Sequence, residues 1–235
     1  MDDTRESEGV EEASASDSAP GRKRKRGWSK KRGIAVGVVV VVLVAAGLGF
    51  WVWHEQPSFC NAICHTPMDP YLPTFEAAPG EAAQDKWGNE VAEAGAMMAP
   101  LHRASLDEGG AGATCVSCHV PSVGEQLSEA AKWATGNYLD PLEERSAEQL
   151  LAARGLESDA FCLNESCHNL TRDELAQTTE QLFERNPHSG HHGEEACDSC
   201  HKGHRASVNQ CTQCHLDAPV PDGWVTHAEE YRMLN

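Results

Sequence analysis

Residues 186–215 read NPHSGHHGEEACDSCHKGHRASVNQCTQCH, which places four cysteines and six histidines within 30 residues. Both cysteine pairs have the form C-x-x-C-H. Working outward along the chain, the same order recurs at Cys115/Cys118-His119, and in stretched form at Cys60/Cys64-His65 and Cys162/Cys167-His168. All ten cysteines fall into five pairs, and in every pair a histidine follows the second cysteine at once. With His at about one residue in twenty, five such matches by chance are on the order of one in three million. A disulfide framework gives no reason for the histidine. Zinc wants four ligands from separated pairs and does not require His beside the second Cys. Covalent haem explains each element: two thiols form thioethers to the two vinyl groups of one porphyrin, and the next residue brings its imidazole to the iron. The pairs Cys197/Cys200-His201 and Cys211/Cys214-His215 are of this standard kind. CNAICH (60–65) and CLNESCH (162–168) loop out one and two extra residues between their cysteines.

Five haems c in the residues after Trp53 leave about 36 residues per macrocycle, too few for an ordinary apolar core. The expected fold is therefore mainly α and irregular, with a core formed by haems. TRDELAQTTEQLFERN predicts a helix capped by Thr171 and Glu174 and ending before Pro187; SEAAKWATGNY closes another; PLEERSAEQLLAARGL predicts a third, with Pro141 in its first turn. No segment alternates as a strand does.

Charge is arranged in blocks. The chain carries 19 Lys and Arg against 36 Asp and Glu, a net charge of -17, which argues against nucleic acid as a partner. Residues 1–20 are acidic with almost no large apolar side chain and read as a disordered tail. Residues 22–32, RKRKRGWSKKR, hold eight positive charges, and residues 34–53, IAVGVVVVVLVAAGLGFWVW, hold none. Twenty helical residues span roughly 30 Å, the thickness of a bilayer core. The next basic residue is Lys86, so the positive-inside rule puts the N-terminus in the cytoplasm and the cysteine-rich part on the extracytoplasmic side of the cell membrane. A cleaved signal peptide ending near Val44-Ala45-Ala46 is the rival; the aromatic end Phe50, Trp51 and Trp53 favours a retained anchor. The expected organisation is a cytoplasmic tail with a basic stop (1–33), a transmembrane helix (34–53), a dihaem part (54–140) and a trihaem part (141–235).

Five histidines, His65, His119, His168, His201 and His215, are proximal ligands by position. His188, His204 and one of His191 or His192 are the distal candidates in the dense segment, and His102 is a fourth. Those four match the second to fifth haems and leave Met68 for the first, with His54 and His227 spare. A closed count favours relay over an open haem that binds substrate.

FCNAICHTPMDPY (59–71) after an anchor, and TCVSCHVP with a Trp and GNY downstream, resemble the membrane-bound multihaem quinol dehydrogenases of the NapC/NirT type, including the small subunit of cytochrome c nitrite reductase. That resemblance spans roughly residues 34–140. It implies electrons taken from menaquinol or ubiquinol in anaerobic respiration, Met68 on the first haem, and a quinol pocket drawn from Asp85, Lys86, Glu90 and Asp107. Each spacing in the first motif is one residue longer than the family's. Residues 161–224 are similar instead to the tetrahaem domain of flavocytochrome c fumarate reductases, in which positions matching His188, His191 and His204 are distal ligands. The two resemblances imply different acceptors: a flavin-dependent reductase like fumarate reductase, or a cytochrome c nitrite reductase. A relay without a quinol site and a terminal multihaem reductase are the alternatives.

Overall fold

The computed structural model describes residues 30–63, 65–107, 113–151, 155–182 and 184–235, and the side chains at 65, 105–107 and 158 fall outside that description. Cys64 and most of the expected tail thus lie outside the described residues. The first helix, α1 (Lys30–His54), extends the expected apolar run by four residues before and one after. Its mean hydropathy of 2.7 over 18 residues and its 25-residue length suffice to cross a membrane. Six valines in the run carry stiff β-branched side chains that lower helix propensity in water. Length and uniform apolarity define this helix, since no amphipathic stripe is present.

Short helices follow: α2 (Pro57–Ile63), α3 (His65–Met68), α4 (Tyr71–Glu76), α5 (Met98–Asp107), α6 (Cys115–Cys118), α7 (Val123–Ala134), α8 (Ala147–Leu151), α9 (Ser158–Cys162), α10 (Arg172–Thr179), α11 (Cys197–Cys200) and α12 (His227–Leu234). Strand is confined to two-residue pairs, β1 (Ala83–Gln84) antiparallel to β2 (Glu90–Val91), and β3 (Val208–Asn209) parallel to β4 (Val225–Thr226). The chain is helical and irregular, as its pattern implies.

Capping fixes several starts. Thr171 and Glu174 exchange bonds reciprocally at α10, as do Ser122 and Glu125 at α7 and Thr226 and Glu229 at α12. The helix expected from Pro141 begins six residues later. Ser146 and Gln149 bond each other's backbone N–H and start α8, while Glu144 is drawn away to Arg205 and Lys86. A tertiary ion pair outcompetes a local first-turn preference here.

The described apolar core is small. Val91, Ala94, Ala96, Met97 and Ala206 are at most 2 % exposed, and Trp224 and Val225 pack against them. Residues 202–207 thread along this cluster: Met98 and Ala99 donate to the carbonyls of Lys202 and Gly203, Lys86 donates to that of His204, and Ser207 donates to Ala96. Gly223 sits at φ +76°, and a Cβ there would come within 2.8 Å of Glu93 Cβ and its carbonyl oxygen. Only glycine permits that approach.

Candidate haem site

Four of the five cysteine segments are described in full, and each closes in the same way. The N–H of His119 donates to the Cys115 carbonyl at 2.8 Å, that of His201 to Cys197 at 3.0 Å, and that of His215 to Cys211 at 2.8 Å. In the stretched segment the N–H of His168 donates to Cys162 at 3.1 Å. The extra residues bulge around Asn164, whose side-chain amide reaches the Phe161 carbonyl and whose Oδ1 accepts from the Ser166 N–H. Looping out residues 163–166 thus preserves the relation of the first cysteine to the histidine.

Each of these histidines faces a second imidazole. Ring centres lie 6.2 Å apart for His119–His204, 6.0 Å for His168–His102, 6.4 Å for His201–His188 and 6.0 Å for His215–His192. Two imidazoles bound to one metal through nitrogens at about 2 Å, each with about 1.1 Å from nitrogen to ring centre, have centres roughly 6.3 Å apart. The four pairs therefore fit an iron held between them. The ring planes differ by 21° and 3° for His204 and His188, by 32° for His192, and by 80° for His102. Of the two adjacent candidates, His192 is the one brought to an attachment histidine; His191 lies exposed in a bridge with Gly193.

Hydrogen bonds set which nitrogen of the second imidazole is free. Thr74 Oγ1 donates its one proton to the Tyr71 carbonyl at 2.7 Å, so at 2.6 Å it accepts from His204 Nδ1–H. Thr179 Oγ1 donates to the Leu175 carbonyl at 2.7 Å and accepts from His188 Nδ1–H at 3.1 Å. His102 Nδ1 lies 2.7 Å from the Met98 carbonyl, which can only accept. In all three the lone pair is left on Nε2, as a metal ligand needs. Burial, with His119 and Lys86 beside it, lowers His204 to about 3; burial, with His188, His102 and His168 nearby, lowers His201 to about 4. Both are neutral imidazoles at pH 7, the ligating form. Sequence reasoning had no signal for Thr74 or Thr179, which are ordinary threonines on short helices.

The segments also touch one another in chain order. Cys60 hydrogen-bonds with Cys115, which pushes Cys60 up and pulls Cys115 down to about 7. Cys118 is raised by burial and by the neighbouring Cys167 and Cys162. Cys162 is lowered chiefly by a hydrogen bond with Cys197, which is raised by it, and Cys200, raised by burial, has Cys211 beside it. First meets second, second third, third fourth, and fourth fifth. No disulfide joins the described cysteines.

Such a row of paired imidazoles beside paired thiols matches what the comparisons return. The sequence model of the cytochrome c3 family matches residues 107–216, a span that holds the second to fifth segments and runs across residue 140. The cytochrome c-type protein Cgr1 of Eggerthella lenta is 57% identical over 205 residues, covering 87% of this chain and 92% of that protein.

The chain belongs to the multihaem c-type cytochromes.

Covalently bound haem c and electron transfer follow from that membership. No solved structure matches the cytochrome. In its first segment, Cys64 and the His65 side chain lie outside the described residues, and Met68 ends α3 half-buried. Phe59 of this segment packs on Phe50, Trp53 and His54, with ring centres 5.6, 5.0 and 4.9 Å away. His227, the other spare histidine, is held by Gln210 Oε1 at 2.8 Å.

The four residues put forward for a quinol pocket are not gathered together. Asp85 is buried, and its carboxylate accepts from the N–H groups of Trp87 and Asn89 and from the Asn89 side chain, closing the β1–β2 turn. Lys86 is lowered by burial; its ammonium lies 3.5 Å from Glu144 and 4.6 Å from the centre of the Trp87 ring. Glu90 is exposed and lines an open cavity of about 410 Å³ with Val225 and Arg232. The side chain of Asp107 lies outside the described residues. Lys86 alone of these stands near an imidazole, that of His204, against whose edge Tyr71 also packs at 5.1 Å.

Proposed function

We propose that the cytochrome is a single-pass membrane protein with its N-terminus in the cytoplasm, which carries five haems and relays electrons from the quinol pool to an extracytoplasmic reductase. The observation that carries this reading is the order of the segments: each cysteine pair meets the next, and the row begins where the apolar helix α1 ends. Haem iron, when bound, supplies a one-electron couple. The protein's part is to hold each iron in position and to set its potential.

His119 with His204, His168 with His102, His201 with His188, and His215 with His192 would supply the axial pairs, and the ten cysteines the covalent bonds. With both faces filled, these four centres would leave no position for substrate, which favours relay over a terminal reductase. Met68 would complete the first centre, next to the aromatic end of α1. Its thioether would set that centre's potential apart from the His/His centres. The quinol binds at this membrane-proximal end in the NapC/NirT-type reading, and both of its protons leave on the extracytoplasmic side. Neutral His204 and His201 suit a chain that moves electrons without protonating its ligands.

Reduction of the purified cytochrome by a menaquinol analogue, blocked by a quinol-site inhibitor, is the expected result. If the analogue fails while dithionite still reduces every haem, the quinol-dehydrogenase reading fails. Intact mass with a pyridine haemochrome spectrum should give five covalent haems; three would leave the stretched segments empty.

A further inference from the structure

The two ends of the row of segments are built differently. At the first, Phe59 is packed among Phe50, Trp53 and His54 at the end of the apolar helix. At the fifth, Cys211 and Cys214 are both exposed, and so is His192, the imidazole facing His215. In the second, third and fourth segments at least one cysteine is half-buried, as is each facing imidazole, His204, His102 and His188. The fifth segment is therefore the open end.

What surrounds it has the composition of a contact surface. Leu216, directly after His215, is 91 % exposed, and Leu182, three residues before Arg185, is 68 % exposed. The Arg185 guanidinium forms a two-pronged pair with Asp217 at 3.0 Å on each prong, close to Glu184 and Cys211. Glu184, Arg185 and Asp217 are all exposed. Such a bridge adds little stability at the surface. It does fix two strongly exposed leucines and an acidic edge around one attachment site. Apolar centres with a charged rim are the usual anatomy of protein contacts.

We propose that Leu182, Glu184, Arg185, Leu216 and Asp217 form the docking face through which the fifth segment hands one electron to a soluble redox protein with a basic rim around its cofactor. The excess of acid over base after Trp53, 29 against 10, is complementary to such a partner. This assignment rests on the relay reading. The electron balance is simple: the cytochrome loses one electron, the partner's cofactor gains it, and no proton or bond changes hands.

A basic cytochrome c in its ferric form serves as the probe, mixed with cytochrome already reduced by dithionite, so that quinol plays no part and a failure of the quinol reading leaves the result untouched. The double variant Glu184→Lys/Asp217→Lys should lower the second-order rate about tenfold at low ionic strength, with the difference shrinking as salt rises. Glu76→Lys/Glu81→Lys makes the same change in net charge at exposed positions elsewhere and should change the rate less than about twofold. Leu216→Gln should lower the rate while haem count and visible spectrum stay unchanged. Independently of rate, zero-length carbodiimide cross-linking followed by peptide mapping should join probe lysines to Glu184 and Asp217. Equal losses from both double variants, or cross-links confined to other carboxylates, overturn the proposal. So does a wild-type dimer that Leu216→Gln dissolves, because the face would then be taken by a second copy.

Discussion

Two stretches of the cytochrome are stabilised in contrasting ways. Residues 83–99 and 202–230 pack on each other, with Met97, Val91, Ala94 and Val208 at most 2 % exposed and Arg205 paired with Glu230 and Glu144. Residues 123–182 hold one buried hydrophobic side chain among those described, Leu151, while Val123, Leu127, Leu139 and Leu182 are each more than 60 % exposed. Helix α7 has a correct capping box and an apolar stripe at Val123, Leu127, Ala131 and Ala134, yet none of its residues is buried. Local rules suffice to start a helix; packing has to hold it. The contrast teaches that the first stretch carries its own small core, whereas the second depends on covalent attachment at its cysteines.

The largest expected effect on that contrast is in hydrogen exchange. Amides at 94–99 and 205–208 of the mature protein should exchange at least about a hundredfold more slowly than those of α7. Equal protection would erase the distinction. Next, Met97→Ala should destabilise by about 3 kcal/mol in chemical denaturation, against less than about 1 kcal/mol for Leu127→Ala.

A smaller effect tests the ion network. Burial alone would raise Glu230, but hydrogen bonds from Arg205 and Gln210, with the charges of Arg205 and Lys202, outweigh it and lower the carboxyl below its ordinary 4.5. A carboxyl depressed on folding stabilises above its unfolded value and loses that contribution as pH falls through the folded one. Glu230→Gln should therefore cost about 2 kcal/mol at pH 7, and the gap from wild type should close as pH drops below about 4.5. A gap independent of pH would remove the network from the account. Smallest is Thr74→Val, which leaves His204 Nδ1–H without its acceptor: about 1 kcal/mol in stability, with one haem raised in potential during redox titration. A titration identical to wild type would reduce Thr74 to packing.

How far the sequence reveals all this depends on the range of the interaction. The capping boxes of α7 and α10 are legible because Ser122–Glu125 and Thr171–Glu174 lie within one turn. The start of α8 is not legible, because Glu144 answers to Arg205, 61 positions away. Attachment segments announce themselves by spacing. The facing imidazoles do not: His192 and His191 are neighbours in the chain, and only the fold brings one of them to His215. His102 reaches His168 across 66 positions, so its role could be inferred from counting histidines but not from any motif. Thr74 has no local mark at all, since its hydroxyl matters only where residues 202–207 bring His204 against α4.

The bond from the His168 N–H back to the Cys162 carbonyl has a consequence for how such proteins are counted. A text search for C-x-x-C-H finds three segments in this chain and passes over CNAICH and CLNESCH. Residues 163–166 bulge without disturbing the pin between the ends, so insertions between the cysteines can accumulate as neutral drift. Inventories of redox capacity drawn from genomes by fixed spacing will then run low, and most so for lineages whose cytochromes have lengthened these loops.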